Sequence, residues 1–258
     1  MMKKTTLFSL LVPAALLVGC HERSAVNGLT VEMLDCPLGV AAEHPRLSWR
    51  IESALPATVQ TGYRILVSTD PGDLETGENL IWDSGDVPSD RSVLVPYEGP
   101  ELESRRDYYW KVRVATNHGD TLWSEPSRWS MALLDDSDWQ ARWIGYDSCL
   151  NRTDTLGVFS RLAARYLRKE FDAGRDIAQA RLYISGLGLY ECYLNGCRVG
   201  EDVLAPTATD YTKTVCYNVY DVTDLLDEGV NTIGVILGNG RFFSMRTVTY
   251  TIPFTQVT

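Results

Sequence analysis

Histidine is scarce in this chain of 258 residues: His21, His44 and His118 are all there is. Zinc sites and Ser-His-Asp machinery need imidazoles brought together by the fold, and three scattered rings argue against both. Positive charge is also short, with 24 Lys and Arg against 34 Asp and Glu and a net charge of −10. A surface this acidic has no basic face to displace counterions from a phosphate backbone, so no nucleic-acid partner is expected. No apolar run reaches the roughly 20 residues of a membrane-spanning helix. Helical periodicity is missing too: between Val26 and Trp129 no 3.6-residue apolar stripe can be drawn. Whatever chemistry the chain carries must rest on carboxylates or lie elsewhere.

The N-terminus has a different character. Lys3-Lys4 precede an apolar run from Leu7 to Val18, broken only by Ser9 and Pro13, which is an export signal in form. Leu17-Val18-Gly19-Cys20 resembles a bacterial lipobox, which implies a signal peptide over 1–19, lipidation of Cys20 and a tether over 20–26. Acyl chains at Cys20 would each contribute about 0.8 kcal/mol per buried CH₂, enough in combination to hold the protein to a membrane. His21 stands where inner-membrane lipoproteins carry Asp, so an outer-membrane lipoprotein, periplasmic or surface-facing, is expected. Removing residues 1–19 brings the charge to −12 (22 minus 34). It leaves Cys36, Cys149, Cys192, Cys197 and Cys216 besides Cys20, irregularly spaced and odd in number. A full disulfide framework is therefore not expected. Cys192 and Cys197 flank Asn195-Gly196 and fall diagonally across that hairpin, a poor disulfide geometry, so free thiols are expected.

Residues 27–134 read as short segments of period-two alternation cut by Pro, Gly and Asp. The expected strands are Leu29–Leu34, Arg46–Glu52, Thr61–Ser68, Leu80–Ser84, Ser92–Pro96, Asp107–Asn117 and Thr121–Met131, the number in an immunoglobulin or fibronectin-III-like sandwich. In the sixth, the apolar face falls on even positions. Trp49, Trp82, Trp110 and Trp123 are expected as packing residues. A charged hinge at 133–139 leads to a second domain, 138–258. A loop is expected between Asp147 and Tyr166. Strands then follow at Tyr166–Phe171, Ile177–Gly186, Leu189–Leu194, Cys197–Val199, Thr214–Asp221 and Thr232–Leu237, with a helical turn over 222–226 capped by Thr223 or Asp224. Asn195-Gly196 is a type I′ hairpin signal. The fold class is all-β: two β-sandwich domains, the second jelly-roll-like and of the carbohydrate-binding type.

Several motifs, in order, resemble one family. Leu38-Gly39, Pro45-Arg46-Leu47-Ser48-Trp49, Gln60 to Val67, Trp82-Asp83-Ser84-Gly85 and Tyr108 to Val114 resemble the N-terminal sandwich of bacterial α-L-rhamnosidases, glycoside hydrolase family seventy-eight. Ala180 to Gly188, Tyr190-Glu191, Leu194-Asn195-Gly196, Asp202 to Pro206, Thr209-Asp210-Tyr211 and Gly238 to Arg241 are similar to the sandwich that precedes its catalytic barrel. The resemblance covers nearly all of 27–246. It departs at Thr207-Ala208, where relatives carry a Gly or an aromatic residue. It also stops at Thr258, short of the barrel; an edge strand is expected at Thr247–Phe254, with Pro253 in it.

The resemblance implies hydrolysis of terminal α-L-rhamnosyl residues by two carboxylates roughly 6.5–9.5 Å apart, one protonated and one ionised, in that absent barrel. The pairs Asp202/Asp210 and Asp221/Asp224 do not replace it, because a solvated carboxyl holds no proton at neutral pH. No catalytic residue is expected here, and the chain alone is expected to be inactive. The expected role is an accessory one, with the catalytic barrel and a rhamnose-containing glycan as partners and the membrane reached only through the lipid. The alternatives are a stand-alone surface lipoprotein binding such glycans and a structural protein-contact module. For sugar binding the candidates are Tyr190, Asp210, Tyr211, Asn239 and Phe242, as aromatic platforms and polar ligands. Calcium, at Asp202 and Asp210, is the one cofactor considered.

Overall fold

The computed structural model describes residues 24–145, 155–156, 159–160 and 164–242. The signal segment, Cys20, Cys149 and the strand expected at 247–254 lie outside them.

Two sheets make the first sandwich. Strands β1 (Ala25–Val31), β2 (Arg46–Glu52) and, later in the chain, β5 (Val95–Pro96) pair in the order β1-β2-β5. Facing them, β3 (Gln60–Ser68), β4 (Trp82–Asp83), β6 (Asp107–Thr116) and β7 (Thr121–Trp123) run in the order β4-β3-β6-β7, with β8 (Ser127–Ser130) also on β6. Alternation puts Tyr108, Trp110, Val112 and Val114 of β6 inward, as expected, against Leu47, Trp49, Ile65, Val67 and Trp129. Trp129 stacks on Tyr108 at 5.3 Å, and Trp49 meets Tyr63 edge-on at the same centroid distance. The Trp49 indole N–H donates to Gln60 Oε1 (2.9 Å), while the Gln60 amide nitrogen donates to the carbonyls of Ser89 and Arg91. This buried polar group is thereby satisfied and costs little.

Four details depart from expectation. The first strand stops at Val31 because Glu32 and Met33 turn into positive φ, and Leu34 N–H donates back to Val31 C=O at 3.0 Å. The last expected strand is two, β7 and β8. The three residues between them include Pro126, which has no N–H to give to a ladder. Trp123 is 43% exposed and lies beneath Lys111 and Arg113, at 4.9 and 5.7 Å from its ring centroid, instead of in the core. A six-residue helix, α1 (Pro71–Thr76), stands between β3 and β4, with Asp70 as N-cap, Pro71 in its first turn and Gly77 at its C-terminus.

The second sandwich is laid out on β11 (Arg165–Asp172), β12 (Arg181–Ser185), β13 (Leu189–Leu194), β14 (Cys197–Arg198), β15 (Tyr217–Asp221) and β16 (Val230–Gly238). Four of these form a sheet ordered β11-β16-β13-β14, and β12 pairs with β15 in a second. Between them lie Tyr190, Cys192, Leu194, Ile184, Tyr220, Ile233, Val235 and Leu237. Asn195 and Gly196 take φ of 50° and 84° and close the β13–β14 hairpin, with Leu194 opposite Cys197. Within the expected 147–166 loop, two short strands pair, β9 (Thr155–Leu156) and β10 (Phe159–Ser160). Residues 177–180 lie outside β12, which begins only at Arg181. The expected cap of the helical turn is replaced: Asp221 Oδ1 accepts from the Thr223 N–H, while the Thr223 hydroxyl accepts from Ala180 N–H at 2.9 Å. Cys36, Cys192, Cys197 and Cys216 are free thiols. Cys192 is buried on the core face of β13, and that burial pushes its pKa up to about 11.

Candidate functional site

Strand parity sorts the sugar and calcium candidates. Even positions of β13 face the core, so Tyr190 is 6% exposed and its hydroxyl donates to Asn218 Oδ1 at 2.8 Å. Burial raises its pKa, and the ring offers no face to a sugar, which withdraws it as a stacking platform. Asp202, in the turn after β14, accepts the Tyr220 hydroxyl at 2.8 Å, while its C=O accepts from Arg198. Asp210 folds onto its own loop, its Oδ1 accepting the Thr212 hydroxyl (2.6 Å) and N–H (3.2 Å), with Lys213 at 3.4 Å from Oδ2. The Thr212 hydroxyl is the main reason the Asp210 carboxyl lies below its ordinary pKa. Among the described residues no group of three or more His, Cys, Asp or Glu gathers to hold a metal, so Asp202 and Asp210 lack such a set. Tyr211 and Phe242 do meet, edge to face at 5.5 Å, joining the Asp210 loop to the turn after β16. Asn239 begins that turn. Gly188 lies beneath it, at φ 140°, where an added Cβ would come within 2.2 Å of Gly238 O.

Six carboxylates among the described residues, Asp210 included, are displaced in one direction, downward. Hydrogen bonds from arginine lower Glu32 (Arg46) and Asp83 (Arg64), and hydroxyls lower Asp135 (Ser137), Asp138 (Ser104) and Asp221 (Thr223). A general acid needs a displacement in the opposite direction. These groups are built to stay ionised.

The most elaborate polar arrangement joins the two sandwiches. Arg181, the first residue of β12, is 9% exposed in its side chain and forms an ion pair with Asp107, the first residue of β6. Its guanidinium also donates to Ser130 Oγ (2.8 Å) and to Arg105 C=O (3.0 Å), and Gln179 Nε2 adds a bond to Asp107 at 3.2 Å. Burial works against the charge of Arg181, and the Asp107 carboxylate more than offsets it, leaving the guanidinium pKa raised. Nearby, Leu133 N–H donates to the Tyr217 hydroxyl at 2.9 Å. The Trp139 ring leans on Tyr217 at 5.6 Å, and Gly39 packs so tightly on Val219 that an added Cβ would come within 2.7 Å of its methyl. Sequence reasoning missed this clamp. Its partners are 74 positions apart, with no local signal linking them.

Comparison with known proteins agrees with this two-part arrangement. Residues 26–135 match the Rha78A-like N-terminal immunoglobulin domain, and residues 175–255 match the α-L-rhamnosidase N-terminal domain. An α-L-rhamnosidase of Formosa agariphila is 35% identical over 92% of this chain and 27% of its own length. One from Streptomyces avermitilis is 35% identical over 83% of this chain and 22% of its own length. Among solved structures, the α-L-rhamnosidase from Dictyoglumus thermophilum superposes with a TM-score of 0.76 at 36% identity, covering 84% of this chain and 25% of that one. That from Aspergillus terreus gives 0.67 at 30%, covering 85% and 24%. The chain spans about a quarter of the length of these relatives. The chain thus carries the two successive domains found at the N-terminus of α-L-rhamnosidases and is similar to that part of them.

Proposed function

We propose that the two sandwiches act as one rigid block, the accessory front part of an enzyme that hydrolyses terminal α-L-rhamnosyl residues of glycans. The observation that carries this reading is the clamp. A nearly buried arginine bonded to a carboxylate, a hydroxyl and a carbonyl of the neighbouring sandwich fixes an angle between domains, whereas a flexible tether would need none of it. Glu32 and Asp83, held ionised by their arginines, fit the same reading, since the proton donor of such a hydrolysis needs an environment that raises its pKa. The proposed partners are a catalytic barrel joined to this block and a rhamnose-containing glycan. A lipid on Cys20 would hold the assembly at the outer membrane.

The test is immunocapture of the native protein from membrane fractions of the source cells. A species well above 28.9 kDa that releases p-nitrophenol from p-nitrophenyl α-L-rhamnopyranoside is expected. A species near 28.9 kDa without that activity would contradict the accessory role.

A further inference from the structure

A lipid on Cys20 has a geometric consequence for the first sandwich. Ser24 stands four positions after Cys20, so the chain between them spans at most about 14 Å even when fully extended. Ser24 Oγ lies 2.8 Å from Ser53 Oγ, and Ala25 stands opposite Glu52 in the β1–β2 ladder. The tether therefore meets the fold beside the turn 53–59, which joins β2 to β3. A headgroup layer is about 5–7 Å thick on each side of a bilayer, so a tether this short keeps that turn within reach of the membrane surface. The same turn is remote from the clamp. Strand β6 runs from Asp107, the partner of Arg181, to Thr116, which stands opposite Gln60 at the far side of the turn. Ten residues of strand measure about 30 Å.

The turn has the chemistry of that place. From Ser53 to Tyr63 no residue carries a charge, in a chain with 22% charged residues. Leu55 is 47% exposed and Val59 is 52% exposed, and Ala54, Pro56 and Ala57 are exposed with them. Its backbone groups are bonded from within. The Leu55 N–H donates to Ser53 Oγ (3.2 Å), and Leu55 C=O accepts the Thr58 hydroxyl (2.8 Å). Asn117, in the adjoining turn after β6, serves three more: its side-chain amide donates to Ala57 C=O (3.1 Å), its Oδ1 accepts the Val59 N–H (2.9 Å), and its own N–H donates to Val59 C=O (3.0 Å). Pro56 has no N–H to satisfy. A turn facing water can leave such groups to solvent, whereas one that enters lipid must bond them inside the protein. The charged groups at its border are Glu52 and, with His118 in the adjoining turn, Asp120; all three are exposed and can remain among the headgroups.

We propose that the turn 53–59 is a second membrane contact, its Leu55 and Val59 side chains entering the boundary between headgroups and acyl chains beside the lipid anchor. The first sandwich then stands on its turn end, with the clamp and the second sandwich directed away from the bilayer. The proposal rests on the lipid at Cys20, so the test reads the two separately. The full chain is expressed with its signal segment in the source cells as Leu55→Trp and as Val230→Trp, the latter a 70% exposed position on the second sandwich. Each protein is purified from membranes, its intact mass is measured, and it is reconstituted into phosphatidylcholine vesicles with and without bromine on the upper acyl chain. At an insertion depth of about 5–10 Å, the brominated lipid should quench the emission added by Leu55→Trp by roughly half, and that added by Val230→Trp not at all. Adding Val59→Asp to Leu55→Trp should reduce the quenching at least threefold, with the melting temperature unchanged because both side chains are exposed. Equal quenching with and without Val59→Asp would show that the new indole, and not the turn, finds the lipid, and overturns the proposal. An acylated protein in which Leu55→Trp is not quenched overturns it while leaving the anchor standing. A mass without acyl chains at Cys20 removes the anchor and the proposal with it. Emission from Leu55→Trp that is shifted to the blue in a dimer, without quenching by lipid, overturns it and gives the turn to a second copy of the chain.

Discussion

Buried and exposed thiols on one hairpin give the protein an internal test of its packing. Cys192 lies on the core face of β13, while Cys197, across the Asn195-Gly196 turn, is exposed, as is Cys36. Thiolate is the reactive form, and burial holds Cys192 as a thiol up to about pH 11. Iodoacetamide at pH 8 should therefore label Cys36 and Cys197 in the folded chain and reach Cys192 only in denaturant, as peptide mass mapping would show. Labelling of folded Cys192 at the rate of Cys197 would mean that the second core is open. The sign of the linkage follows. A raised thiol pKa favours the neutral form, so this contribution to stability is complete below the unfolded value near 8.5 and is lost as the pH rises through about 11. Residue identity made part of this legible in sequence, because the Asn-Gly turn fixed which residues face each other. The clamp was not legible: Arg181 looks like any charged residue at a strand start until the fold brings Asp107 to it.

At the scale of elements, alternation was the informative signal wherever one face of a strand is buried. Arg46–Glu52 and Leu189–Leu194 have the expected bounds, because each has a core side and a polar or turn boundary at both ends. Helix α1 escaped because six residues with one buried side chain, Leu74, show no 3.6-residue stripe. Its caps were nonetheless present as Asp70-Pro71 and Gly77. Asp70 Oδ1 accepts the Gly72 N–H at 2.8 Å. Asp70→Ala should lower the urea-unfolding free energy of the first sandwich by about 1 kcal/mol, with Asp70→Asn recovering most of it. Equal losses in both variants would show that the cap is not what the aspartate supplies. The outward face of the four-stranded sheet in the other sandwich also left a trace in sequence: Tyr166, Arg168, Glu170, Glu191 and Tyr193 all lie opposite in parity to the core residues of their strands. That pattern separates the outward face from the core, and only the sheet order shows that Gly234 lies between Arg168 and Tyr193.

For the whole molecule, the proposed accessory role depends on the two sandwiches moving as a unit. The polar part of their contact is concentrated on Arg181, and Asp107 retains 18% side-chain exposure, so stranding its charge costs less than for a fully buried ion. We expect Arg181→Ala to remove about 2–3 kcal/mol of coupling between the domains, with Gln179 and Tyr217 left to hold the contact. At about 2–4 °C per kcal/mol for a chain of this size, the shift is readily resolved. The deciding measurement is differential scanning calorimetry of the wild-type chain beside Arg181→Ala. A single coupled transition in the wild type, splitting into two or falling by several degrees in the variant, is the predicted result. Two independent transitions already present in the wild type, unchanged by the substitution, would contradict a rigid accessory block.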